Sequence, residues 1–309
     1  MRKEMRSFPY VQLDVFTQNA LEGNQLAVFT DARGLSPADM QALARETRLS
    51  ETTFIFPRDF ATEREKGVQV RIFTVAEELP FAGHPTLGTA FLLHGSGRRS
   101  QDGGVRLRAS EPVINLDLKV GKIPVAFSRD AKGQLFGEMT QNDPVFGKIH
   151  NKEDIARASG LKVDDLDAQL PCQTVSTGFP FLIVPVKKLT TMHAISIDAR
   201  KMLDFLAASD ARFMYFVCRE VEHSGSTLHA RMIFYNGEDP ATGSAAGCCT
   251  AWAVQHGVLK SDEQAVIEQG IEMKRPSFIH VRGTKTGDTV KNVRVGGYVV
   301  EVMRGEAAI

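Results

Sequence analysis

The 309-residue chain has little cysteine, a single tryptophan and no excess of charge of either sign. Its four cysteines, Cys172, Cys218, Cys248 and Cys249, follow no metal-ligand spacing, and a vicinal pair such as Cys248–Cys249 rarely makes a structural bridge. A disulfide scaffold and a zinc ribbon are therefore disfavoured, and a reduced, cytoplasmic protein is expected. Lys plus Arg balance Asp plus Glu at 37 each, and no basic run exceeds Arg98–Arg99, which argues against a nucleic-acid partner. No stretch approaches the roughly 18 apolar residues of a membrane span. The charged start, Met1 to Arg6, runs straight into a strand-like segment without the apolar core of a secretory signal, so no membrane association is expected. No Gly-x-Gly-x-x-Gly follows a strand and no phosphate-loop Gly-Lys-Ser/Thr occurs, which leaves little support for a nucleotide-dependent oxidoreductase. The eight histidines show no paired ligand spacing, so neither a metal nor another cofactor is expected. Low-complexity tracts and heptad runs are also missing.

What the chain does contain is a rhyme between its halves. Arg71-Ile72-Phe73-Thr74 leads to Phe81-Ala82-Gly83-His84-Pro85-Thr86-Leu87-Gly88, and Arg231-Met232-Ile233-Phe234 leads to Glu238-Asp239-Pro240-Ala241-Thr242-Gly243-Ser244-Ala245-Ala246. Arg71 and Arg231 stand 160 residues apart, as do Gly83 and Gly243. Gly23-Asn24-Gln25-Leu26-Ala27-Val28 matches Gly178-Phe179-Pro180-Phe181-Leu182-Ile183-Val184, each a turn and then a strand. Ser36-Pro37 and Asp198-Ala199 each place a capping residue at a helix start, and Phe54-Ile55-Phe56 matches Met214-Tyr215-Phe216-Val217. Four pairs in one order indicate an internal duplication. A length of 309 residues suits two domains, and the expected division is 1–120 and 121–309, with the last strand free to pair with the first domain.

Short apolar or alternating runs predict strands at Val11–Phe16, Leu26–Phe29, Thr53–Phe56, Val68–Phe73 and Val113–Leu118. Helices are predicted from Pro37 to about Thr47, from Pro85 to Leu93 with a stop at Gly95, and from about Gly243 to Gln255 with a stop at Gly257. The last of these is rich in Ala, Gly and Cys, which suits a helix buried in a sheet. Asp130-Ala131-Lys132-Gly133 reads as a hairpin turn, and Gln141-Asn142-Asp143-Pro144 as the crossover between halves. The segment Val293–Val302 reads as a strand pair, or as one strand with a bulge. In each half a helix follows a Gly-containing turn, and the free N–H groups of two such helix starts would cradle a carboxylate.

Gly23-Asn24-x-Leu26-Ala27-Val28, Ser50-Glu51-Thr52-Thr53-Phe54, Arg71-x-Phe73-Thr74 through Phe81-Ala82-Gly83-His84-Pro85-Thr86, and Glu238-Asp239-Pro240-Ala241-Thr242-Gly243-Ser244-Ala245 together resemble the PhzF-like (phenazine biosynthesis-like) isomerase family. Glu268-Gln269-Gly270, Met273 and Arg275-Pro276-Ser277 fit the same pattern near the end. The resemblance implies an α+β, diaminopimelate epimerase-like fold: two pseudo-symmetric domains, each a curved, mostly antiparallel sheet around a central helix, with the active site in the cleft between them. It also implies a cofactor-independent isomerase, a small carboxylate-containing substrate and a homodimer.

Moving a proton beside a carboxylate requires a base near neutral pH, a grip on the anion and donors for the charge that develops. Glu51 is the base candidate, because it lies between a helix end and an apolar strand, where partial desolvation raises a carboxyl pKa. An ordinary surface carboxylate is the plain alternative; the resemblance assigns this Glu as the catalytic acid/base. His84 and Asp239 are the polar residues of the two turns, and the resemblance gives both a part in substrate contact and in handling the proton. His84 sits at a helix start, where the dipole favours a neutral imidazole. Without the resemblance, each would read as a cap or turn residue. Gly83, Gly243 and Ser244 would bind the substrate carboxylate, although a glycine in a tight turn needs no such reason. Epimerases of similar fold use two cysteines, one from each half; here the corresponding turns present Gly83 and Asp239, and Cys248 and Cys249 fall within a helix as core residues. Gln25 and Val75 stand where relatives often carry Pro, which bears on substrate shape. A metabolite-binding protein that keeps the cleft without turnover is the second class of reading.

Overall fold

The structure, a computed structural model, describes residues 5–95, 112–234 and 237–309. Met1–Glu4 and Arg98–Arg99, read above for their charge, lie outside the described residues. The chain forms two compact units, Met1–Met139 with Tyr298–Ile309, and Thr140–Gly297.

The first unit runs β1 (Ser7–Val15), β2 (Asn24–Phe29), α1 (Pro37–Thr47), β3 (Glu51–Phe56), α2 (Phe60–Lys66), β4 (Val68–Phe73), β5 (Glu78–Leu79), α3 (Gly83–Gly95), β6 (Val113–Leu118), β7 (Gly121–Arg129) and β8 (Leu135–Thr140). β1 pairs antiparallel with β2, β2 parallel with β3, and β3 antiparallel with β4. β4 then pairs antiparallel with β5 and parallel with β6, and β6, β7 and β8 continue antiparallel. α3 touches β1, β2, β3, β6 and β7, so the sheet bends around it. That helix is buried along nearly its whole length, with Leu87 and Ala90 fully buried, as suits a helix enclosed by a sheet. Gly88 permits the approach, since a Cβ there would lie 2.6 Å from Leu26 and 2.9 Å from Val15. α1 covers the outer face. Ser36 and Asp39 form its capping box, Arg48 ends it in the left-handed region, and Met40, Leu43 and Ala44 pack on Phe29, Phe54 and Phe73.

The second unit runs β9 (Val145–His150), α4 (Lys152–Ser159), β10 (Cys172–Ser176), β11 (Pro180–Val186), α5 (Leu189–Ala194), α6 (Ala199–Ala207), β12 (Phe213–Cys218), β13 (Leu228–Phe234), β14 (Gly237–Asp239), α7 (Gly243–Gln255), β15 (Ala265–Gln269), β16 (Ser277–Thr286) and β17 (Thr289–Gly297). β10 pairs antiparallel with β11, β11 parallel with β12, and β12 antiparallel with β13. β13 pairs antiparallel with β14 and parallel with β15, and β15, β16 and β17 continue antiparallel. α7 is enclosed by β10, β11, β12, β16 and β17 as α3 is by its own sheet. Met202 and Leu206 of α6 and Ile155 of α4 pack on the outer face against Leu182, Val184 and Phe216.

The duplication therefore extends to hydrogen-bond register. Ile72 faces Leu79 and Met232 faces Asp239, each pair displaced by the spacing that separates Arg71 from Arg231. Arg71 grips Glu78 through two bonds of 2.8 and 2.7 Å, and Arg231 grips Glu238 through two bonds of the same lengths. The strands are exchanged at the crossings: β9 follows β8 in the chain yet pairs with β10, while β18 (Val299–Ala308) follows β17 yet pairs with β1.

Several boundaries differ from the sequence expectation. Residues 121–139 stay with the first unit, because β7 pairs with β6 and the turn at Asp130–Gly133 returns the chain as β8. The division thus falls at 139/140 instead of near 120. α3 begins at Gly83, two residues before Pro85, and β3 begins at Glu51, so both polar motifs lie inside elements.

Candidate functional site

Three separate motifs of the first half meet at one place. Glu51 opens β3 beside Leu26 of β2, with its side chain 17% exposed, and its Oε2 lies 3.6 Å from Nε2 of His84. His84 occupies the first turn of α3 and is 5% exposed. Asn24, the first residue of β2, is buried, and its Nδ2 lies 3.3 Å from His84 Nδ1. The contact with Asn24 fixes the ring plane and turns Nε2 toward Glu51, while the tautomer sets which ring nitrogen carries the hydrogen. Burial pushes the His84 pKa down to about 3, against a backbone hydrogen bond with Gln25 that works the other way. The imidazole is therefore neutral, with desolvation as the cause where the sequence pointed to the helix dipole. Its Nε2 is buried without a hydrogen-bond partner in the described structure.

In the second half Asp239 ends β14, and its Oδ2 accepts a 2.6 Å bond from Thr242 Oγ1. Thr242 is the N-cap of α7, so Asp239 holds the cap residue instead of capping the helix itself. Gln269, fully buried at the end of β15, fixes this turn with all its bonding capacity. Its Nε2 donates to the Asp239 carbonyl (2.7 Å) and to Thr242 Oγ1 (3.0 Å), while its Oε1 accepts from Thr242 N–H (3.2 Å) and the Tyr215 hydroxyl (3.0 Å). Burial raises the Tyr215 pKa well above its ordinary value, which keeps that hydroxyl a donor. The sequence showed Gln269 within a motif but gave it no role. Gly270 follows with φ +78°, and a Cβ there would meet Pro240 O at 2.6 Å, so glycine lets β15 end against the Asp239 turn.

The helix starts supply donors. The first intrahelical bond of α3 runs from Thr86 N–H to Ala82, and that of α7 from Ala246 N–H to Thr242. The N–H groups of Gly83, His84, Gly243, Ser244 and Ala245 thus precede the two ladders; Pro85 has none. The backbone is duplicated but the chemistry is not. By strand register Phe213 takes the place of Glu51 and Leu79 that of Asp239, and by position in the helix Ser244 takes that of His84. All four cysteines are buried, and burial pushes Cys248 up to about 11 and Cys172 to about 12, with Cys249 also raised. These thiols are un-ionised core residues at neutral pH.

The second half also holds a buried ionic cluster that the sequence did not reveal. His229 on β13 sits between two carboxylates, with Nδ1 2.9 Å from Glu268 Oε1 and Nε2 3.0 Å from Glu272 Oε1. His193 Nδ1 reaches the same Glu272 oxygen at 2.9 Å. Burial alone would lower the His229 pKa, but its two carboxylate partners raise it to about 9; hydrogen bonds from His229 and its neighbours outweigh burial at Glu268 and Glu272, lowering each to about 2. In the first half a groove of about 370 Å³ is lined by Arg71, Glu78, Asp117 and Lys119; Glu51 and His84 do not line it.

A sheet bent around one helix, made twice, is an architecture that epimerases use. The structure of a hydroxyproline epimerase of Agrobacterium vitis is similar in fold, with a TM-score of 0.57 at 12% identity over 100% of this chain and 94% of that one. The fold is the diaminopimelate epimerase-like α+β fold. The model of the phenazine biosynthesis-like protein family matches residues 13–305, and the chain belongs to that family. A PhzF-family structure from Bacillus anthracis is similar with a TM-score of 0.86 at 26% identity, covering 98% of this chain and 100% of that one. An uncharacterised isomerase of Mesorhizobium japonicum is 34% identical, over 99% of this chain and all of its own length. The trans-2,3-dihydro-3-hydroxyanthranilate isomerase of Pseudomonas aeruginosa is 30% identical, over 96% of this chain and 98% of its own. The protein is thus an enzyme of the isomerase class. Among the described residues no helix is long and apolar enough to cross a membrane.

Proposed function

We propose that this isomerase moves a carbon-bound proton within a small carboxylate-containing substrate, without a cofactor, using Glu51 as the acid/base. The Glu51 carboxylate takes a proton from one carbon, the C–H electron pair shifts into the adjoining π system, and the Glu51 carboxyl returns the proton to a different carbon. A double bond moves and no oxidant or reductant is needed. His84 and Asp239 orient the substrate and the proton, and the backbone N–H groups of Gly83, Gly243 and Ser244, with the Ser244 hydroxyl, hold the carboxylate.

The observation that carries this reading is the pairing of Glu51 with a buried, neutral imidazole whose Nε2 has no hydrogen-bond partner in the described structure. A positively charged His84 would neutralise Glu51 and hold it as a spectator ion pair. A neutral one leaves the carboxylate able to act as a base and offers a ligand a hydrogen bond. The ordered bonds from Gln269 through Thr242 to Asp239 support the same reading, since they fix one carboxylate oxygen of Asp239. The reading extends to a cytoplasmic homodimer, which light scattering would report as twice the 34.0 kDa chain mass, whereas a monomer mass would remove it.

The first compound to test is the one in the name of the Pseudomonas aeruginosa relative, a cyclic amino acid with a hydroxyl group. In deuterated water the wild type should exchange a substrate carbon-bound hydrogen, and Glu51→Gln should slow that exchange by about 10²–10⁴-fold or more with binding nearly intact. Undiminished exchange in the variant would take Glu51 out of the role. Binding without exchange in the wild type would favour a metabolite-binding protein.

A further inference from the structure

We propose that His193 Nδ1, His229 Nε2 and the Glu272 carboxylate form a binding site for one first-row divalent cation of the zinc class, with Glu268 orienting His229 from behind.

The three ligand atoms lie within 4.8 Å of one another, and both ring nitrogens converge on Glu272 Oε1, at 2.9 and 3.0 Å. Tetrahedral zinc with bonds of about 2.0–2.1 Å separates its ligand atoms by about 3.3 Å, so small side-chain rotations would admit the ion where the three now touch. Two imidazoles and a carboxylate, with a fourth position left to water, is a zinc donor set.

The surroundings match a built site. A ligating histidine ordinarily gives its other ring N–H to a carboxylate, which fixes the tautomer and the ring plane. His229 does so through Nδ1 to Glu268 Oε1 at 2.9 Å, and both side chains are fully buried. Glu268 is itself held by the backbone N–H groups of Glu222 (2.6 Å) and His223 (3.0 Å), and strand pairing sets His229 opposite Glu268. His193 has Glu222 3.6 Å from its Nε2. Among the described residues Glu272 Oε2 is buried without a hydrogen-bond partner, which leaves it available as a second carboxylate donor. His193 is 39% exposed, so a cation can reach the cluster from solvent through its ring.

The charges that face the site are mixed. Arg231 Nε lies 3.9 Å from Glu272 Oε2 and opposes a cation, but Glu238 already neutralises that guanidinium through two bonds. The His223 ring lies behind Glu268, 3.3 Å from Oε2. The competing description is a metal-free bridge in which a protonated His229 satisfies both carboxylates, and metal binding would have to displace that proton.

The test is zinc binding by the full-length protein, independent of turnover and of the role given to Glu51. After chelator treatment, titration with zinc chloride should show one saturable site per chain, and cobalt should give the visible absorption of a tetrahedral, imidazole-containing complex. His193→Ala, at an exposed ring, should leave the circular dichroism spectrum unchanged and weaken zinc binding at least about tenfold. Glu268→Gln, which keeps all three ligands, should weaken it about 10–100-fold through loss of ring orientation. No saturable zinc binding by the wild type, or equal affinity in His193→Ala, would overturn the site in favour of the metal-free bridge.

Discussion

Replacing His84 by Asn should flatten the acid side of the protein's stability profile. The native imidazole is 5% exposed and stays neutral down to a pKa of about 3, whereas in the unfolded chain it protonates near the ordinary value of about 6.5. Between those values the unfolded state binds a proton that the native state refuses, so stability falls as the pH falls. The contribution is fully present above about pH 6.5 and is lost on the way down toward pH 3. The slope is about 1.4 kcal/mol per pH unit, or about 2 kcal/mol between pH 6.5 and pH 5. That figure does not depend on the native value itself, because any native pKa well below 5 gives the same loss at pH 5.

Urea unfolding of wild type and variant at pH 7 and pH 5 provides the comparison. Far-UV circular dichroism reports both units, while the fluorescence of Trp252, the single tryptophan, reports the second. The wild type should lose about 2 kcal/mol more than His84→Asn between the two conditions, and the extra loss should appear in the first unit. The acidic cluster cannot imitate this. Glu268 and Glu272, each lowered to about 2, give up their stabilisation only below the unfolded carboxyl range near pH 4, and His229, raised to about 9, gives up its own as the pH rises toward 9. Equal losses in wild type and variant would mean that His84 carries a proton in the native state at pH 5. A charged imidazole beside Glu51 would undo the case for an available base.

The duplicated Arg–Glu pairs provide an internal control for burial. Arg71 and Glu78 are 26% and 22% exposed, and Arg231 and Glu238 are 8% and 14% exposed. Glu78→Gln should therefore cost about 1 kcal/mol and Glu238→Gln about 3 kcal/mol in urea unfolding, because the second change takes the bidentate counter-charge from a buried guanidinium; equal costs would refute the burial argument. Gln269→Leu removes four hydrogen bonds around Asp239 and Thr242 and should destabilise the second unit by about 1–3 kcal/mol. If Gln269 positions Asp239, the same change should lower kcat at saturating substrate. Lost stability with kcat untouched would make Gln269 a structural residue only.

The duplication was legible because it rests on turn chemistry and apolar period, which a sequence displays directly. Gly83 and Gly243, Arg71 and Arg231, and the capped helices at Ser36 and Asp198 all mark equivalent places in the fold. What stayed hidden depends on register and on contacts distant in the chain. β7 alternates around only two buried residues, Val125 and Phe127, so its strand signal is too weak to mark it as part of the first unit. Gln269 gains its role from the ladder that ends beside Asp239, and His229 meets Glu268 only because β13 and β15 pair in parallel at that register. Histidine spacing along the chain could not disclose a cluster drawn from α5, β13 and the turn after β15.

The asymmetry between the halves bears on the proposed mechanism. The duplicated frame retains an Arg–Glu grip with the same bond lengths in both copies, so polar groups are present twice where the frame itself uses them. At the proposed site positions the copies disagree: Glu51 stands against Phe213, Asp239 against Leu79, and His84 against Ser244. A pair of equivalent bases working on opposite faces of one carbon would place matching acids at matching register, and these positions do not. Two carboxylates at non-equivalent places, one beside a neutral imidazole and one fixed by a hydroxyl, are suited to different tasks. Under the proposed function the first would exchange the proton while the second orients the molecule that carries it, a division of labour that suits a shift between two carbons.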